Sequence, residues 1–100
     1  MASSKEYLDF VLDQLKELDE LSCRKMMGGY LLYYNGILVG GIYDDRLLLK
    51  PIRSALRIMA DSSSVLRMEK PYDGAKEMMV ADINDAKLTA SVINTIAFAV

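Results

Sequence analysis

The chain has 100 residues, 52% of them hydrophobic and 26% charged, and a formal net charge of −2. That length makes one domain, residues 1–100, and the slight acidity gives no whole-molecule attraction to nucleic acid. With no histidine and one cysteine, Cys23, an intrachain disulfide, Ser-His and Cys-His catalytic pairs, histidine metal sites and a structural zinc are excluded.

Residues 1–21 are strongly charged and lack the apolar centre of a signal peptide. No apolar run approaches the roughly 18 residues that span a bilayer. A cytoplasmic protein without membrane contact is expected, and the solitary cysteine fits a reducing compartment.

A helix is predicted from Ser3 to Glu20. Ser3 and Glu6 have the spacing of a capping box, and Leu8, Val11, Leu12, Leu15 and Leu18 form one apolar stripe. Asp9, Asp13, Glu17 and Glu20 make the opposite face acidic, and Phe10 falls outside the stripe. Arg24 to Met27 reads as a short strand, which Gly28-Gly29 ends in a turn or bulge.

Residues 30–50 read as three strands joined by two-residue turns. Asn35-Gly36 is a strong hairpin signal, because a type I′ turn needs positive φ at both central residues. Asp44-Asp45 is a weaker one. The register then pairs Tyr34 with Ile37 and Tyr43 with Arg46. Strict alternation places Leu31, Tyr33, Leu38, Gly40, Ile42, Leu47 and Leu49 on one face. It places Leu32, Tyr34, Ile37, Val39 and Leu48 on the other. Helices are expected over the first face, one of them packing tightly on Gly40.

Pro51 opens a second helix with the stripe Ile52, Ala55, Leu56, Met59, stopped by Asp61 and three serines. Val65 to Met68 reads as a brief strand and residues 71–74 as a turn. Glu77 to Ala81 reads as a strand with Met78 and Val80 facing inward. Asn84 is the expected N-cap of a last helix, Asp85 to about Ala99, with Ile83 and Leu88 as a hydrophobic staple. The apolar end of that helix implies packing or a longer natural chain. Hairpins with helices segregated to one side define a two-layer α+β fold with an antiparallel sheet of about five strands.

Three runs carry a family likeness. They are Arg24-Lys25-Met26-Met27-Gly28, then Gly40-Gly41-Ile42-Tyr43-Asp44-Asp45 with a strand ending at Lys50, then Pro71-Tyr72-Asp73-Gly74-Ala75-Lys76-Glu77-Met78. In their order and spacing the chain resembles the N-terminal domain of the TfoX/Sxy family. The resemblance implies an antiparallel sheet with helices on one face and a topology like that of type III secretion chaperones. It implies no catalytic residues, and its motif positions here are Arg24, Gly28, Gly41 and Tyr72. Family members with a second domain regulate natural competence as co-activators beside the cyclic-AMP receptor protein in some bacteria, so a transcription-factor or other protein partner is implied.

From the residues themselves, a non-enzymatic interaction domain acting as a homodimer is expected. The apolar second sheet face, Leu32, Tyr34, Ile37, Val39 and Leu48, is its expected interface, because such patches mark contacts. The alternative is polyanion or nucleic-acid contact. Residues 46–76 carry seven basic and three acidic side chains, and the first twenty residues carry two and six. Arg46, Lys50, Arg53, Arg57 and Arg67 are the candidates. An enzyme would have to use Tyr43, Asp44, Asp45 or Cys23, and turn chemistry explains the two aspartates better. No cofactor or metal is expected.

Overall fold

Two type I′ turns set the architecture. Asn35 and Gly36 have φ of 56° and 81°, and Asp44 and Asp45 have 51° and 55°. Positive φ at both central residues gives a turn whose twist matches the flanking strands. The structure, a computed structural model, describes residues 4–26, 28–62 and 66–99. In chain order the elements are α1 (Lys5–Gln14), β1 (Leu21–Met26), β2 (Gly29–Tyr34), β3 (Ile37–Tyr43), β4 (Arg46–Leu49), α2 (Arg53–Ser62), β5 (Met68–Glu69), β6 (Met78–Ala81) and α3 (Ala86–Phe98). All strand pairs are antiparallel, in the order β1-β2-β3-β4-β6-β5. The α+β class is as expected, with six strands rather than about five.

Both expected turn registers are present, Tyr34 opposite Ile37 and Tyr43 opposite Arg46. Strict alternation, however, fails inside β3. Tyr33 pairs with Leu38, but Leu32 pairs with Gly40, so Val39 is an extra residue in a β-bulge. A bulge shifts every later side chain by one position. Tyr34, Leu32, Val39 and Ile42 therefore share a face that alternation had divided.

That face is the core side. Leu32, Val39, Ile42, Leu47, Leu49 and Met79 are fully buried in one cluster with Leu8, Val11 and Leu15 of the α1 region, Ala55 and Met59 of α2, and Val92, Ile93 and Ile96 of α3. Each such large aliphatic side chain contributes about 1.5–3 kcal/mol by leaving water. Gly40 is tight for a different reason than expected. An added Cβ would run into the Leu48 carbonyl and sit 3.0 Å from Leu49 Cδ2. The close neighbour is strand β4, not a helix.

Local chemistry moved several boundaries. Ser3 and Met27 lie outside the described residues, as does Val65. Ser4 caps α1, its hydroxyl accepting from the Tyr7 amide at 3.1 Å. The helix ends at Gln14 rather than Glu20, with Leu15 as its C-cap, the amide of which donates to the Val11 carbonyl at 3.0 Å. Successive three-residue turns, Leu18 N to Leu15 O and Leu21 N to Leu18 O, then carry the chain into β1 while keeping Leu15 buried. Asp85, not Asn84, caps α3, accepting from the Leu88 amide. In β6 the expected facing is reversed. Met79 and Ala81 point into the core, because they stand opposite Leu49 and Leu47.

Candidate functional site

The side of the sheet away from the helices is where function is sought. Residues directly opposite in a sheet share a face, so the register assigns it. One row runs Arg24, Leu31, Gly41, Leu48, Val80, and the next includes Ser22, Tyr33 and Leu38. None of these joins the helix-side core cluster.

Part of this outer side is closed by the chain itself. The segment after β5 turns back toward β3 and β4. Arg46 donates from Nη1 to the Lys70 carbonyl at 3.3 Å and from Nε to the Tyr43 carbonyl at 3.1 Å. Its Nη1 also meets Glu69 Oε1 at 2.6 Å, and Glu69 Oε2 accepts from Arg67 at 2.6 Å. Pro71 is buried, and the Tyr72 ring packs on Tyr43 with centroids 6.2 Å apart. Leu48, fully buried though outside the helix-side core, lies in this closed sector. The Tyr43 ring also covers Gly41, where an added Cβ would stand 2.7 Å from ring carbon Cε2.

Farther toward β1 the outer side is open. Leu31, Tyr33 and Leu38 are partly exposed there, and Arg24 and Ser22 are exposed beside them. At its margin a hollow of about 310 Å³ is lined by Ser22, Cys23, Arg24, Tyr33 and Gly36.

The expected interface is corrected by these placements. Leu32 and Val39 are fully buried under the helices, and Tyr34 packs against the same core. Ile37, opposite Tyr34, faces that side too. Leu48 faces outward but is covered within the chain. The bulge at Val39 is the physical cause, and the Gly40-Gly41 pair next to it was the sequence signal of a break in alternation. The residues that alternation missed are Leu31, Tyr33 and Leu38.

The basic candidates do not converge. Arg46 and Arg67 share Glu69, and Lys50 is half-buried on the sheet. Arg53 and Arg57, exposed on α2, line a separate hollow of about 400 Å³ with Ile52, Ser54 and Ala99. Neither makes an ion pair among the described residues.

Little here suits catalysis. Burial raises the Tyr43 phenol above its ordinary value, with Tyr72 adding to the effect, so it stays neutral at physiological pH. Asp45 accepts from the Ser4 amide at 2.9 Å, tying the start of α1 to the β3–β4 turn. Asp44 stands 3.6 Å from Arg46. Cys23 is exposed on β1. Among the described residues no three acidic or cysteine side chains gather to hold a metal, and no helix is long and apolar enough to cross a membrane.

Comparison with known proteins adds the following. The family model described as the TfoX N-terminal domain matches residues 13–88. An uncharacterized 12.7 kDa protein in the trpE 5′ region of Spirochaeta aurantia is 34% identical over 82 residues, covering 82% of this chain and 68% of that protein. No solved structure matches the chain.

Proposed function

Because the chain belongs to the TfoX N-terminal domain family, a regulatory rather than catalytic family, we propose that it is a competence-type regulatory domain acting through protein contacts as a homodimer. The observation that carries this reading is the open outer patch of Leu31, Tyr33 and Leu38. It is apolar, it lies on the side of the sheet away from the helices, and its three side chains stay partly exposed in the single chain. An isologous pairing of two such patches removes it from water on both copies at once. The family's link to transcription makes a second protein partner, such as a transcription factor in the cytoplasm, the natural recipient of the dimer's signal.

Sedimentation equilibrium at tens of micromolar tests this. The expected species is twice the 11.2 kDa protomer, and Leu38→Lys reduces it to one protomer with its circular dichroism unchanged. A wild-type protomer at that concentration overturns the homodimer.

A second reading, polyanion contact, is favoured by Arg53 and Arg57 alone, which have no ion pair among the described residues and stand beside a hollow. It requires that DNA or RNA binding fall steeply with salt and vanish in Arg53→Glu with Arg57→Glu.

A further inference from the structure

The exposed edge of the sheet carries an inference that the outer patch does not. Strand β1 has one neighbour, β2, and six residues, against two in β5 at the other edge. Four of the six, Ser22, Cys23, Arg24 and Lys25, are exposed. The phase of its ladder follows from two bonds. The Asn35 amide donates to the Glu20 carbonyl, so hydrogen-bonded pairs recur at Ser22, Arg24 and Met26. Leu21, Cys23 and Lys25 then direct their amides and carbonyls away from β2. The Leu21 amide is already used by Leu18 O, which leaves Cys23 and Lys25 as a two-residue template for a further strand.

Charge selects what docks there. β1 holds Arg24 and Lys25 and no acidic residue, on a chain of net charge −2. Neither side chain has an ion pair or hydrogen bond among the described residues. Pairing β1 with its own copy would bring four cations together, which opposes it. Charged edges are a common guard against such self-pairing. An acidic strand meets no such barrier at Arg24 and Lys25, with Asp19 and Glu20 just before β1 limiting how far toward Leu21 it extends. The hollow of about 310 Å³ between Ser22, Arg24 and Tyr33 adds a place for one of its apolar side chains.

We propose that β1 accepts an extended acidic segment of a protein partner, which adds as a seventh strand. Main-chain hydrogen bonds to Cys23 and Lys25 provide the attachment. Lys25, on the helix side, pairs with its carboxylates, and the hollow that Tyr33 walls beside Arg24 on the other side takes an alternate apolar side chain. This surface adjoins the proposed dimer patch at Tyr33 but does not depend on it.

The test uses the full chain, nitrogen-15 labelled, and a synthetic hexapeptide alternating glutamate and valine. The peptide is expected to shift and protect the amides of Cys23 and Lys25. Reversing both charges, Arg24→Glu with Lys25→Glu, weakens it about tenfold or more. Cys23→Pro, which removes an outward donor and spares the β2 pairing, also weakens it. Equal binding by a lysine–valine peptide, or by a backbone N-methylated version, overturns the proposal. So does a response confined to Arg53 and Arg57, no binding at millimolar peptide, or binding of single-stranded DNA in place of the peptide. Sedimentation of the same charge-reversal variant separates the two surfaces. An unchanged mass with lost peptide binding supports the edge, and a mass halved by the reversal makes β1 a contact between copies and overturns it.

Discussion

Two single residues show how this sheet assigns its faces. Gly41 sits under the Tyr43 ring and within 2.7 Å, at its missing Cβ, of the Tyr30 carbonyl. Gly41→Ala is therefore expected to cost about 2 kcal/mol through overpacking, read as a lower urea midpoint at unchanged slope. Leu32 is its opposite, a large side chain fully buried under the helices. Leu32→Ala is expected to cost about 3 kcal/mol by leaving a cavity, with no effect on self-association. Glu69 links residue chemistry to pH. The hydrogen bond from Arg46 holds its carboxyl below the ordinary carboxylate range, Arg67 helps, and partial burial opposes both. A carboxyl whose folded value is depressed stabilises the fold above its unfolded value, and loses that contribution as pH falls through the folded one. Because both partners are partly solvated, the effect is small. Melting temperature is expected to fall less on acidification in Glu69→Gln than in wild type, and parallel profiles would remove Glu69 from the account.

At the scale of elements, turns and stripes were readable and phase was not. Asn35-Gly36 and Asp44-Asp45 announced both hairpins because positive φ restricts which residues serve there. The apolar stripe of α2 and the cap and staple residues before α3 announced those helices. The facing of β3 and β6 was hidden, since it depends on where the ladder slips, and that is a tertiary matter. The bulge at Val39 lies beside Gly40, where a side chain would run into strand β4, and neither residue reveals the slip alone. β1 was underread for another reason. Four of its six residues are exposed, so it has no alternation to detect, and only pairing with β2 makes it a strand. Its ladder phase has a measurable consequence. Amides of Cys23 and Lys25 are expected to exchange with solvent far faster than those of Ser22 and Arg24. Equal protection along β1 would mean that its outer edge is already paired.

For the whole molecule, the class was legible because the core needs one oily side, helices to cover it and short antiparallel links, and the family because the runs at residues 24–28, 40–45 and 71–78 stand in the order and spacing of the resemblance. The contact surface was not, because both sides of the central strands are apolar and composition alone cannot say which one the chain shelters. The structure answers by burying Leu32 and Val39 and leaving Leu31, Tyr33 and Leu38 partly exposed. Whether that open patch meets a second copy is the claim on which the functional reading turns. Its most direct test is an isotope-filtered Overhauser experiment on a mixture of carbon-13-labelled and unlabelled chains. Intermolecular signals from the methyls of Leu31 and Leu38 and the ring of Tyr33 are predicted. Signals arising from other surfaces only, or none beside the tumbling of an 11.2 kDa particle, would contradict it.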